Sequence, residues 1–452
     1  MKSDYPKVMH KVAGQPMVMH VVAAARRAGV ERIILVLGHG RDQVEKVLAG
    51  KGLEFVVQEE QLGTGHALMQ AEKLVDPSDN VLVLCGDTPL LQAQTLCALR
   101  EYHRERGAQA TVLSTRLADP TGYGRIVRDE EGKLQQIVEE KDAPDEIKAI
   151  DEINSGLYCF EAQAVFQALK DIKPDNAQKE YYLTDVLPIM MKKGLKVEVF
   201  FHPHAEEVYG INDRIQLAYA EKIMRQRKNR ELMVHGVTML DPDSTFIDAQ
   251  VEIGPDTVIY PFTIIEGNTR IGSNCVIGPE AHVVDSVIGD EVRVERSKLV
   301  ECEVGEGCNI GPFAYIRPGT ILGRGVKVGD FVEIKKSVID EGSKVPHLAY
   351  VGDAQVGKRV NIGAGTITCN YDGKNKHLTV IEDDAFIGSN TNLVAPVRIG
   401  RGAVTGAGST ITKEVPPGAL AVERAKQKNI EGPAKRKNRL GEEGLGGREE
   451  KP

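Results

Sequence analysis

From residue 253 onward an aliphatic side chain returns at every sixth position: Ile253, Ile259, Ile265, Ile271, Ile277 and Val283. The period reappears in a second register (Val304, Ile310, Ile316, Leu322, Val328, Ile334) and a third (Ile381, Ile387, Leu393, Ile399, resuming at Ile411). A period of six excludes an amphipathic helix, which needs 3.6. It fits short flat strands joined by tight corners, with one aliphatic per side pointing inward and three sides closing each coil. Stacked coils then bury a continuous column of Val, Ile and Leu. Glycine often follows the aliphatic, as in Ile253-Gly254, Ile271-Gly272, Ile277-Gly278, Ile310-Gly311, Ile387-Gly388 and Ile399-Gly400. These glycines are expected to turn the corners by adopting positive φ. The polar run Cys369 to Lys376 interrupts the repeat and must loop outward, where such scaffolds place function.

Before residue 210 the pattern differs. Ile33 to Leu37, Phe55 to Val57 and Val81 to Leu84 read as buried strands, with helices at Met17 to Ala28 and Ala67 to Leu74. This alternation predicts a parallel α/β sheet covered on both faces. Asp213 to Met233 reads as one connecting helix. The expected organisation is an α/β domain over 1–211, a linker helix over 212–235, a repeat domain over 236–425 and a disordered polar tail over 426–452.

A chain of 452 residues accommodates two or three such domains. Its 57 basic and 65 acidic residues leave a net charge of −8, and no basic stripe marks a nucleic-acid surface. No run of eighteen apolar residues suggests a membrane span. Seven scattered cysteines without a CxxC pair argue against a disulfide framework and for a reducing cytoplasm.

Residues 310–425 resemble the acetyltransferase half of the bifunctional N-acetylglucosamine-1-phosphate uridylyltransferase / glucosamine-1-phosphate acetyltransferase family. The resemblance rests on Arg317-Pro318-Gly319, Val332 to Lys336, His347 to Asp353, Asn361 to Thr366 and the Cys369 to Lys376 loop. It implies a left-handed parallel β-helix of hexapeptide repeats that trimerises, with acetyl-transfer sites between subunits. A sugar amine attacking a thioester needs a base, and histidine suits that task near neutral pH. The family's general base falls on His347. Arg317, Lys335, Tyr350 and Asn361 match its sugar-phosphate contacts, and Asn370 and Tyr371 match acetyl-CoA contacts, with the Asn370 amide placed to steady an oxyanion. Ala364, Ser389, Ala407 and Arg424 match the remaining coenzyme positions. A metal-dependent hydrase on the same scaffold would need three converging imidazoles, whereas His282, His347 and His377 stand in unrelated contexts.

The N-terminal half resembles the α/β, Rossmann-like uridylyltransferase domain of the same family through Gln58 to Ala67 and Cys85-Gly86-Asp87-Thr88-Pro89. By that match Gln58, Gly63 and Thr64 meet uracil, and Cys85, Gly86 and Asp87 border the nucleotide. Asp87 and Asn212 hold Mg²⁺, while Gly124, Glu139 and Asn154 contact sugar or nucleotide and Lys7 meets phosphate. Members of the family open with a strand running into Leu-Ala-Ala-Gly-x-Gly-Thr-Arg-Met, and this sequence begins at that motif's final Met. The resemblance therefore implies that the first strand, the glycine loop and the catalytic arginine are missing. Either Met1 is an internal methionine of a longer product, or only the acetyltransferase half works. The implied function is acetyl transfer from acetyl-CoA to glucosamine-1-phosphate, then uridylyl transfer from UTP. The alternatives are acetyl transfer alone, or a non-catalytic nucleotide-sugar-binding scaffold.

Overall fold

The computed structural model describes residues 1–430. The chain divides into two compact units. The first comprises Met1–His235, Asp241–Val251 and Ile265–Gly267; the second comprises Gly236–Leu240, Glu252–Ile264 and the chain from Asn268 onward. Residues 426–430 carry no secondary structure and are exposed, and the rest of the expected tail, 431–452, lies outside the described residues.

In the first unit, β1 (Ile34–Leu37) pairs in parallel with β2 (Glu54–Val57) as a separate two-stranded sheet. The larger sheet contains β3 (Asn80–Val83), β4 (Ala110–Arg116), β5 (Arg125–Arg128), β6 (Leu134–Val138), β7 (Glu152–Glu161) and β8 (Val197–Phe201). It is mixed, which corrects the expected parallel sheet. The long strand β7 runs antiparallel to β3, β4 and β5, while β8 is parallel to β4. The cause is local: β5 and β6 form an antiparallel hairpin around Asp129, whose carboxylate accepts from the backbone of Glu131 and Lys133.

Four of the first unit's α-helices bear on the site: α1 (Met17–Arg27), α2 (Thr64–Met69), α3 (Ala93–Arg106) and α4 (Arg214–Val234). The segment expected as one helix to Leu74 breaks after Met69 and resumes as a 3₁₀ turn, Glu72–Leu74. Asp213 caps α4 by accepting from the Gln216 amide at 2.8 Å.

A second departure concerns burial. The apolar runs of β1 and β3 were expected to be fully buried, yet Ile34, Leu35, Val36, Val81, Leu82 and Val83 are all half-buried. They line one cavity of about 1650 Å³ whose walls come from both strands and from Val18, Val22, Ala67 and Ala71. Neither β1 nor β3 has a second strand partner among the described residues.

The second unit is the left-handed parallel β-helix. Each inward aliphatic pairs with its equivalent one coil on: Ile259 with Ile277, Val294 with Ile310, Ile334 with Val351, Leu393 with Ile411. The registers slip between Val283 and Val304 because the coils there are shorter, so the count changes while the column stays continuous. Each fully buried aliphatic contributes about 1.5–3 kcal/mol. Two residues before the inward aliphatic, small side chains recur on two of the three sides. They include Thr257, Cys275, Ser286, Cys302 and Cys308, all buried. Thr257 there receives the Cys275 amide and donates to the Gly272 carbonyl.

The glycines follow the expectation only in part: Gly278 (φ +95) and Gly311 (φ +107) do turn corners in the left-handed region. Gly254, Gly363 and Gly388 do not take positive φ, and a side chain there would meet the next coil, as at Gly363, where a Cβ would lie 2.6 Å from the Ser389 amide nitrogen. Close backbone approach is what excludes a side chain. Many of the left-handed corners fall instead on Asp256, Asn274, Phe313, Phe331 and Leu348.

Candidate functional sites

The cavity between β1 and β3 gathers most of the residues singled out in the N-terminal half. Thr64, Cys85, Gly86, Asp87, Gly124, Glu139, Asn154 and Asn212 all line it. Asp87 lies in the first half of the loop that leads from β3 to α3, and Asn212 immediately precedes the α4 cap. Lys7 links them: its ammonium lies 2.5 Å from Asp87 Oδ2 and donates to Asn212 Oδ1 at 2.6 Å. The backbone adds a third tie, with the Ile211 amide donating to the Asp87 carbonyl at 3.0 Å. Asp87 is therefore engaged with a cation and is not a helix cap.

Across the cavity, Gly124 leaves room for the Glu139 carboxylate, which a Cβ at that position would meet at 3.2 Å. Burial raises the Glu139 carboxyl above its ordinary range, and the Thr184 hydroxyl donates to it at 3.2 Å. Asn154 is buried, donating to the Tyr158 hydroxyl at 2.8 Å and accepting from the Gly156 amide at 3.0 Å. The Cys85 thiol is pushed up to about 12 by burial and then by Asp87, which leaves it a neutral wall of the site. Gln58 sits in a smaller hollow beside Gly38 and Gly40, its amide donating to the Gly63 carbonyl at 3.0 Å. Gly63 has φ +112, which favours glycine, and the Thr64 hydroxyl receives the Leu183 amide at 3.0 Å. Tyr123 was missed in the sequence, although it directly precedes Gly124; its hydroxyl receives the Gly210 amide at 3.2 Å.

On the β-helix, one outward face carries Tyr315, Glu333 and Tyr350 in register. At one edge of this face, Arg317 meets Glu333 at 2.5 Å and Lys335 meets Asp353 at 3.8 Å. The Arg317 Nε atom is buried without a hydrogen-bond partner. Asn370 is 5 % exposed; its amide donates to Asp353 and lies 3.5 Å from the Tyr350 hydroxyl. Gly352 makes room for the Tyr350 ring, since a Cβ there would lie 2.7 Å from Cζ. The loop beyond Asn370 protrudes with Tyr371 exposed. Asp372 stitches it, accepting from the Lys374 and Asn375 amides and from His377 Nε2.

His347 stands across a corner from this face, at the end of the strand Lys344–His347 in the adjoining sheet and three residues before Tyr350. It pairs in register with Asp330, and Nδ1 lies 2.5 Å from Oδ1. That bond holds the Asp330 carboxyl below its usual range. A carboxylate only accepts, so the neutral imidazole keeps its proton on Nδ1 and presents a lone pair at Nε2. Asp330 was missed, although it lies one coil before His347.

Below His347 the same corner continues downward: Gly365 donates to the His347 carbonyl, Asn390 to Ala364, Gly408 to Ser389, and the Arg424 guanidinium to Ala407 at 2.8 Å. Ala364, Ser389, Ala407 and Arg424 thus form one column. Asn361 sits on the adjoining face, paired with Lys344 and Phe386, and one chain does not bring it to Arg317 and Lys335.

Among the described residues no group of three or more His, Cys, Asp or Glu side chains is placed to hold a metal. All seven cysteines are free, with Cys97 exposed. No helix of the described residues is long and apolar enough to cross a membrane.

Comparison with known proteins fits this two-part architecture. Residues 2–205 match the nucleotidyl transferase family, 241–339 the GMPPB C-terminal domain, and 378–413 the bacterial transferase hexapeptide repeats. The bifunctional protein GlmU of Syntrophomonas wolfei is 60% identical over 430 residues, covering 95% of this chain and 96% of that one. Its counterpart in Carboxydothermus hydrogenoformans is 56% identical, covering 95% and 96%. That of Clostridioides difficile is 50% identical, covering 97% and 95%. With both chains covered nearly end to end at these identities, the chain belongs to the bifunctional GlmU family.

Proposed function

We propose that the β-helix unit transfers an acetyl group from acetyl-CoA to the amine of glucosamine-1-phosphate. The first unit then transfers the uridylyl group of UTP to that product and releases pyrophosphate. The observation that carries the first step is the His347–Asp330 pair, which leaves Nε2 free to accept a proton from the sugar amine as its nitrogen attacks the thioester carbonyl. The carbon–sulfur bond then breaks and CoA leaves. Arg317 and Lys335 would hold the sugar phosphate, and the unpartnered Nε of Arg317 supports an anion there. Tyr350 and Asn361 would orient the sugar, while Asn370 would release Asp353 to donate to the developing oxyanion. The corner column of Ala364, Ser389, Ala407 and Arg424 runs away from His347, as a long coenzyme arm bordered by Tyr371 would require.

In the first unit Asp87 and Asn212 offer two oxygen donors around a point now held by the Lys7 ammonium. That donor set suits Mg²⁺, which takes few protein oxygens together with substrate phosphates. Bound there, the ion would supply charge neutralisation at the phosphates. Lys7 would turn to phosphate, Gln58, Gly63 and Thr64 would meet uracil, and Gly124, Glu139 and Asn154 would border the sugar.

The half-buried edges of β1 and β3 support a further element of the reading: the cavity between them has room for one more apolar strand beside the nucleotide. Exposed Phe313, Phe331 and Leu348 form an apolar corner beside His347, and the two phenyl rings stack at 5.4 Å. Such a corner supports a homotrimer in which Asn361 serves a neighbour's site. Free thiols throughout support a cytoplasmic setting. Separate assays of CoA and pyrophosphate release test the reading: the bifunctional reading requires both, acetyl transfer alone requires only the first, and a binding scaffold gives neither.

A further inference from the structure

Glu207 lies in the 3₁₀ turn Ala205–Val208, five residues before Asn212, and is 3 % exposed. A carboxylate so deeply buried needs partners, and it has four. Oε2 receives the Thr95 hydroxyl at 2.5 Å and the Gln92 backbone amide at 3.3 Å. Oε1 receives the Gln92 side-chain amide at 2.7 Å and lies 3.5 Å from His202 Nε2.

Gln92 is the cap residue of α3 and supplies no side-chain cap of its own. Glu207 therefore caps that helix from a distant segment, with its negative charge at the positive end of the helix dipole. The residues before α3 form the loop that carries Asp87, and the residues after Glu207 lead to Asn212. The two segments are clamped twice: once by Glu207 at the helix start, and once by the Ile211 amide on the Asp87 carbonyl at 3.0 Å. Val208 and Ile211, between the clamps, are fully packed.

We infer that Glu207 is a positioning residue that fixes the spacing of Asp87 and Asn212 and thereby sets the affinity of their metal site. The inference rests on the reading of those two residues as metal ligands. Groups that orient metal ligands through hydrogen bonds change affinity by about 10–100-fold when lost. Glu207→Gln keeps the volume but removes the charge and turns one acceptor oxygen into a donor, so the charge-assisted clamp weakens and the Gln92 and Thr95 contacts must rearrange.

The test is Mn²⁺ titration of the full chain with saturating UTP, followed by water-proton relaxation, for the parent, Glu207→Gln, Thr95→Val and Asp87→Ala. Near-ultraviolet circular dichroism of each full-length variant serves as the folding control for the first unit, and its CoA release as the control for the second. The expected result is a rise of about tenfold in the Mn²⁺ dissociation constant for Glu207→Gln. A smaller rise is expected for Thr95→Val, loss of binding for Asp87→Ala, and parental acetyl transfer in all. Parental Mn²⁺ affinity in Glu207→Gln, with loss in Asp87→Ala, overturns the inference and leaves the metal site standing, whether or not the melting temperature falls. Parental affinity in Asp87→Ala overturns the metal site and the inference with it.

Discussion

Nδ1 of His347 lies 2.5 Å from Oδ1 of Asp330, directly opposite it on the neighbouring coil. The coil spacing of the β-helix thus sets the tautomer of the proposed base. Replacing His347 with alanine should lower CoA release about a hundredfold to ten-thousandfold, the usual contribution of general-base catalysis. Asp330→Asn, whose amide can donate to Nδ1 and so move the ring proton to Nε2, should fall between that variant and the parent. Steady-state CoA release on purified variants checks both.

The Lys7–Asp87–Asn212 arrangement separates the two activities. Asp87→Ala should lower pyrophosphate release by about a hundredfold or more, since metal stabilisation contributes several kcal/mol. CoA release should stay at the parental rate because the β-helix unit carries none of these residues. Pyrophosphate release unchanged in Asp87→Ala would remove the residue from the site.

The open seat between β1 and β3 makes a complementation experiment informative. A chain extended by an apolar strand and glycine loop ahead of Lys2 should melt higher and release pyrophosphate faster than the 452-residue chain. Thermal unfolding and the pyrophosphate assay, run side by side on both proteins, give the comparison. Equal melting temperatures would mean that the seat takes no strand.

Much of this was legible in the sequence, and the reasons are physical. A period of six aliphatics has one packing solution, so Ile259, Ile277 and their successors announce the β-helix. The strings around His347, Asn370 and Asp87 are contiguous and can be matched as text. Partners that meet only through the fold could not be found that way: Asp330 is one coil from His347, Asp353 faces Asn370 across a corner, and Glu207 reaches Thr95 from a distant turn. The glycine rule held at Gly278 and Gly311 but not at Gly254 or Gly388, because a missing Cβ serves close approach as well as positive φ, and only coordinates distinguish the two uses. The sheet was misread as parallel because its reversal depends on one hairpin turn at Asp129.

Acid should expose the Glu207 clamp. Burial alone would raise this carboxyl, but bonds from His202, Thr95 and Gln92 outweigh it and hold the group at about 2, against an ordinary 4.5. A folded-state value below the unfolded one stabilises the fold above the unfolded value, and that stabilisation is lost as pH falls through the folded value. The melting temperature of the parent should therefore exceed that of Glu207→Gln most at pH 5 and above, and the gap should close as pH falls from about 4.5 towards 2. A gap that widens on acidification would contradict the sign.

The exposed corner offers a test of assembly. Phe331→Glu should reduce a trimer to monomers by light scattering and reduce CoA release with it, because Asn361 would lose its neighbour's site. Inward Ile334→Ala, by contrast, should cost about 2–5 kcal/mol of β-helix stability through the cavity it leaves.

The most direct test of the two-headed account is paired measurement of CoA release and pyrophosphate release in His347→Ala on a chain whose β1–β3 seat is filled. The account predicts that CoA release collapses while pyrophosphate release from UTP and N-acetylglucosamine-1-phosphate continues at the parental rate. Undiminished CoA release in that variant would contradict it.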